Sequence, residues 1–144
     1  MRILITGHPR SGKSTLAGLL HKTTDIPVRA TDVLIPTHEW SQQSEVVSEW
    51  FTTPGPWIIE GVTVARALRK YHHHYPRRTV PCDLLITLRR PTAGLLPGQI
   101  SMSHNQDFFM EQIKPWLDEH MKCKPEGKHL TCKAAKKKAR KKKK

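Results

Sequence analysis

Gly7, Gly12, Lys13 and Ser14 stand at the spacing G-x-x-x-x-G-K-[ST] within the stretch ITGHPRSGKSTL. Those residue types at those intervals suit the grip of a polyphosphate. Two glycines let the backbone wrap phosphate oxygens, successive N–H groups turn inward, and a helix starting at Lys13 or Ser14 brings the positive end of its dipole. Lys13 would reach the β- and γ-phosphates of a nucleotide, and Ser14 would ligate Mg²⁺. The run Gly7, His8, Pro9, Arg10, Ser11, Gly12, Lys13, Ser14 and Thr15 is thus the expected cradle for ATP, with Arg10 either meeting a phosphate or facing water. At average residue usage a chance match in so short a chain is under ~1%.

The flanks supply the elements that such a loop needs. Before it, Ile3, Leu4 and Ile5 suit a buried strand, and after it Leu16, Ala17, Leu19 and Leu20 suit a helix. A second strand is expected over 27–31, ending at Asp32. A helix follows with Ser41 as its N-cap and Val46, Val47, Trp50 and Phe51 on one face. A Pro-Gly turn leads to a strand over 57–59 that ends at Glu60, then to a helix over 62–71. The unbroken apolar run DLLITL predicts a strand through Leu88, buried on both faces. Alternating strands and helices predict a parallel sheet with right-handed crossovers.

Residues 89–104 show little periodicity and contain two prolines, which predicts a long loop of the kind that serves as a lid. Phe109, Ile113, Trp116 and Leu117 then mark a helical stripe, kinked or divided at Pro115. KHLTCK suits a short fifth strand. No internal repeat is present.

The length of 144 residues predicts one domain, residues 1–132, whose core must serve both the loop and any second site. Lys and Arg total 25 against 12 Asp and Glu, a net +13, but nine of those basic residues lie in the last twelve positions. The body keeps sixteen basic and twelve acidic residues, net +4. A basic block at 133–144 repels itself and is expected to be a disordered tail. It would draw any polyanion nonspecifically, nucleic acid being the commonest and an anionic membrane surface another. No apolar run approaches the ~18 residues of a membrane span and no secretory pattern opens the chain, so a soluble, cytoplasmic protein is expected. Cys82, Cys123 and Cys132 are too few and too oddly numbered for a disulfide framework.

With its loop, TD after the second strand and WIIEG closing the third, the chain resembles over roughly residues 1–120 the small P-loop kinases, a group with adenylate-kinase-like, topology-modulation-protein-like and shikimate-kinase-like members. The resemblance implies a three-layer α/β P-loop NTPase fold with a parallel sheet of four or five strands in the order 2-3-1-4, a fifth being usual. It also implies a nucleotide at the carboxyl ends of the strands, where open α/β sheets place ligands. Glu60 then takes the place of the acidic residue that holds Mg²⁺ through water or orients the acceptor. Asp32 stands where hydroxyl-phosphorylating members keep a general base, a role that monophosphate acceptors do not require. Arg89 and Arg90 stand where lid arginines neutralise the migrating phosphoryl group, and Arg66 and Arg69 follow Glu60 closely enough to face the acceptor.

Two further patterns invite metal readings. His120, Cys123, His129 and Cys132 form H-x-x-C-x₅-H-x-x-C, but the central gap is short for a zinc motif, and a helix end, a turn and an edge strand account for the same residues. His72, His73 and His74 cannot converge from one face and are expected in a surface loop. The leading expectation is a phosphotransferase that moves the ATP γ-phosphate to a nucleotide or other small acceptor. The alternatives are a polynucleotide 5′-hydroxyl kinase-like enzyme and a slow ATPase or ATP-binding module whose tail makes its contacts.

Overall fold

A computed structural model describes residues 1–90, 93–127 and 129–135. The elements run β1 (Arg2–Gly7), α1 (Lys13–Thr24), β2 (Val28–Ala30), a 3₁₀ turn (Thr31–Leu34), α2 (Trp40–Trp50), β3 (Trp57–Glu60), α3 (Val64–His74), β4 (Leu84–Leu88), α4 (Pro97–His120), β5 (Met121–Glu126) and β6 (His129–Ala134). They build one mixed sheet of six strands in the order β2-β3-β1-β4-β6-β5. The first four of that row are mutually parallel.

Beyond β4 the sheet departs from the expected order and strand count. There β6 lies antiparallel to β4, and β5 lies antiparallel to β6 at the edge. No crossover is needed to make such a pair, because a short turn joins antiparallel strands. Pro125 hides β5 in the sequence, yet an edge strand tolerates proline because one side of its backbone needs no partner. Cys123 and Cys132 stand opposite one another in this hairpin and are bonded through their sulfurs. Three cysteines make no framework, but two of them form a disulfide.

β1 shows why the centre of the sheet is so apolar. Leu4 faces a core shared with α2, α3 and α4, and Ile3 and Ile5 face a smaller core under α1. Each of these fully buried side chains contributes about 1.5–3 kcal/mol of hydrophobic stabilisation. Helices thus cover both faces, but unequally. On the α1 side, Leu84 and Ile86 of β4 stay half-buried, because α1 packs against β1, β2 and β3. The expectation of full burial for β4 fails at those two residues.

Several boundaries differ from the sequence reading for local physical reasons. α2 starts after Glu39, whose N–H donates to Gln42 Oε1 at 3.0 Å, so Ser41 falls inside the first turn. α3 runs on through His72, His73 and His74, with His72 stacked on Trp116 at 4.5 Å between centroids, so these histidines end a helix and do not form a loop. α4 begins at Pro97, within the expected lid. Proline is at home in a first helical turn, and the Leu96 N–H donates to Gln99 Oε1 at 3.0 Å. The helix continues unbroken past Pro115, held by Ile113, Trp116 and Leu117 in the main core. β6 extends through Lys133 and Ala134, past the point where the tail was expected to begin. Residues 136–144, and Pro91 and Thr92 of the expected lid, lie outside the described residues.

Candidate nucleotide site

β1 delivers the chain into the loop under tight backbone control. Gly7 has φ 150°, and a Cβ there would run into the backbone carbonyl of Leu88 on the neighbouring β4. The next amide, His8 N–H, donates to that same carbonyl at 3.0 Å. Gly12, at φ 95°, is the N-cap of α1 and offers no side chain to the helix start. The free N–H groups of that first turn and the helix dipole therefore present an anion-attracting end.

Lys13, the first residue of α1, is 8% exposed. Its Nζ donates to the His8 carbonyl at 2.6 Å and lies 3.5 Å from Ser11 Oγ. Burial holds its pKa below the usual lysine range, against the pull of the Glu60 and Asp32 carboxylates, which favour the charged form. Among the described residues no carboxylate forms an ion pair with it. At the next residue, Ser14 Oγ donates to Glu60 Oε1 at 3.1 Å. Glu60 ends β3, the strand beside β1, and is buried. That burial raises its carboxyl above the ordinary range; the Ser14 hydrogen bond lowers it, Asp32 raises it and Lys13 lowers it.

These groups share one cleft of about 500 Å³ at the carboxyl ends of the parallel strands. Pro9, Arg10, Ser11, Gly12, Lys13, Ser14 and Thr15 form its loop side, with Asp32 and Glu60 opposite. Asp32 is exposed on the 3₁₀ turn, not at a strand end as expected, and still lines the cleft. A larger hollow of about 750 Å³ opens near Arg2, Arg78 and Asp83 and contains none of the loop residues. Size alone would select that hollow, which holds no helix N-terminus to attract an anion.

The four arginines part company. Arg90 Nη1 donates to the Arg10 carbonyl at 3.0 Å, which ties β4's exit to the loop. Arg89 is exposed and lines a separate hollow of about 560 Å³ with Asp107, Lys114 and Asp118. Arg66 lines a small hollow of about 120 Å³ with Trp40 and Phe109; Val62 and Met102 border both it and the cleft. Arg69 donates to Gln112 Oε1 at 2.9 Å and lies over the Phe109 ring, which commits it to α4.

His8 has a part that its place in the motif did not suggest. Its ring is buried: Nε2 lies 2.7 Å from Asp107 Oδ1, and Nδ1 accepts the Arg90 N–H at 3.1 Å. The loop is thereby pinned to α4, a link across 99 residues that no local spacing encodes. Gln99 and Met102 reach the cleft for a related reason, since the expected lid is helix from Pro97 onward.

Mg²⁺ is commonly held by one or two carboxylates together with substrate phosphates and water, so a hydroxyl and one carboxylate in contact suit it. Ser14 and Glu60 form such a pair beside the buried ammonium of Lys13. Among the described residues no three His, Cys, Asp or Glu side chains gather as a metal cage, and the bonded Cys123 and Cys132 are not free to ligate zinc. No protein-family model matches this chain, and no curated protein matches it.

Proposed function

We propose that the chain is an ATP-dependent phosphotransferase of the small P-loop kinase type, which moves the γ-phosphate of ATP to a nucleotide or other small acceptor. The observation that carries this reading is the meeting of a buried Lys13, a Ser14–Glu60 pair and Asp32 in one cleft over the uncapped start of α1. Backbone N–H groups and Lys13 would hold the β- and γ-phosphates. Ser14 and Glu60 would hold Mg²⁺, which when bound neutralises phosphate charge.

Transfer is then mainly a matter of position. An acceptor oxygen attacks the γ-phosphorus in line, the bond from that phosphorus to the β–γ bridging oxygen breaks, and ADP leaves with the electron pair. Where the acceptor is a hydroxyl, Asp32 takes its proton; an anionic phosphate oxygen needs no base. Arg90 lies at the loop to balance developing charge, and Arg66 borders the neighbouring hollow where part of an acceptor would rest.

A second reading has one observation in its favour. Arg89 lines a different hollow, so a single lid arginine approaches the loop, a sparse set of cations for rapid transfer. That favours an ATP-binding module with slow hydrolysis. The deciding experiment is ADP formation from Mg-ATP with and without nucleoside monophosphates, deoxynucleoside monophosphates and 5′-hydroxyl oligonucleotides. Strong stimulation by one acceptor class establishes a kinase and its substrate. Equally slow ADP formation throughout refutes transfer and leaves the binding module.

A further inference from the structure

On the α1 side of the sheet, no helix among the described residues packs against β6 and β5, while α1 meets β4 through the small core that includes Leu88. The registers Leu84↔Lys133 and Ile86↔Thr131, then Lys133↔Lys122, Thr131↔Lys124 and His129↔Glu126, show which side chains share that face. Lys122, Lys124 and Lys133 are exposed there, and they border a hollow of about 400 Å³ with Glu126, Thr131 and Ala134. Lys122 and Lys133 are directly opposed, a like-charge pair that costs stability unless an anion sits between them. Glu126, at the turn end, is the single carboxylate on the face among the described residues. The chain leaves this shelf at Ala135, and eight of the nine residues that follow are basic.

We infer that this open face is a docking surface for a nucleic-acid strand, which it holds by its phosphates through Lys122, Lys124 and Lys133, at a site separate from the nucleotide cleft. The separation follows from the register. Lys122 and Lys133 sit beside Leu84, whereas the cleft lies at the Leu88 end of β4, roughly 13 Å further along the strand. Nucleic acid held here is thus anchored away from the bound nucleotide, and the two sites can be filled together. A bilayer is the less suitable polyanion: Leu84 and Ile86 are half-buried in the floor of the shelf, and none of the exposed large apolar side chains belongs to β5 or β6. Beside these lysines stands no exposed large apolar side chain to insert into a membrane, whereas phosphate contacts need only charge and hydrogen-bond donors.

The test uses the full chain, a labelled single-stranded oligodeoxynucleotide and a salt titration. Counterion release predicts a slope of about −0.7 in log K against log salt for each phosphate neutralised on a single strand. Lys122→Gln/Lys124→Gln/Lys133→Gln, with the basic C-terminus intact, should make the slope shallower by about 2 and weaken binding roughly 50-fold at 0.15 M salt. The Lys→Arg triple should keep the wild-type slope, and the melting temperature verifies that each variant is folded. Saturating Mg-ATP should not displace the oligonucleotide. An unchanged slope in the Gln triple overturns the inference, as does displacement by Mg-ATP. So does a Gln triple that loses phosphatidylserine vesicles while keeping the oligonucleotide. None of these readouts depends on turnover, so the inference and the kinase reading can fail independently.

Discussion

Lys13→Met isolates the ammonium while keeping a side chain of similar reach, and its effect can be worked from the geometry. An ammonium has three donors. One is committed to the His8 carbonyl at 2.6 Å, and Ser11 Oγ lies at a long 3.5 Å, so two remain for phosphate oxygens. Charge-assisted hydrogen bonds contribute about 1.5–3 kcal/mol each. Loss of two removes about 3–6 kcal/mol of transition-state stabilisation, or about 10²- to 10⁴-fold in kcat/KM. The fold should not share that loss, because burial disfavours the charged lysine in the folded protein. With the folded pKa below the unfolded one, the charged form carries a stability penalty at neutral pH, and Met removes it. Coupled ADP-release kinetics with a thermal melt reads both quantities. Turnover within about threefold of wild type, with the melting temperature unchanged, would refute the assignment of Lys13 to the phosphates.

Glu60→Gln should raise the melting temperature measured without nucleotide at pH 7, because burial disfavours the ionised carboxyl in the folded protein. A carboxyl whose folded pKa is raised binds its proton more tightly when folded, so the wild type gains stability as pH falls through that pKa, and the Gln variant should lose this part of the profile. The same variant should lose at least about tenfold in Mg-ATP turnover if Glu60 takes part in Mg²⁺ binding; melts from pH 4 to 8 and ADP assays check the pair. Asp32→Asn should abolish transfer to a hydroxyl, by about 10²-fold or more, and spare transfer to a monophosphate. Equal losses on both acceptors would remove the proposed base. Arg90→Ala should slow turnover by roughly tenfold and Arg89→Ala by under about twofold, since of the two Arg90 reaches the loop; the reverse ranking in initial-rate assays would overturn the part proposed for Arg90.

The central apolar strands and the loop were legible because their signals are local. Ile3, Leu4 and Ile5 must be buried on two faces wherever they lie, and Gly7 and Gly12 adopt positive φ values that disfavour other residues. Signals weaken where one residue type has two meanings. Pro97 reads as a breaker, yet proline fits a helix start, so the second half of the expected lid became the first turns of α4. Pro125 concealed an edge strand in the same way. The histidine run read as a surface loop because nothing nearby shows that Trp116 supplies a surface for His72 to stack on.

By itself, then, the amino-acid order determined the chemistry on offer: a phosphate-shaped loop, a lysine and a hydroxyl adjacent in sequence, and apolar strands alternating with helices. Only the tertiary structure decided which distant groups join them. Glu60 meets Ser14 because β3 pairs with β1, and His8 meets Asp107 because α4 packs on the sheet face that it shares with α2 and α3. The same packing divides Arg90 from Arg89 and, among the described residues, leaves the lysine face of the hairpin uncovered. Spacing along a chain specifies neighbours within an element, whereas partners some 46 and 99 residues apart are set by strand order and helix placement, which depend on how the whole core closes.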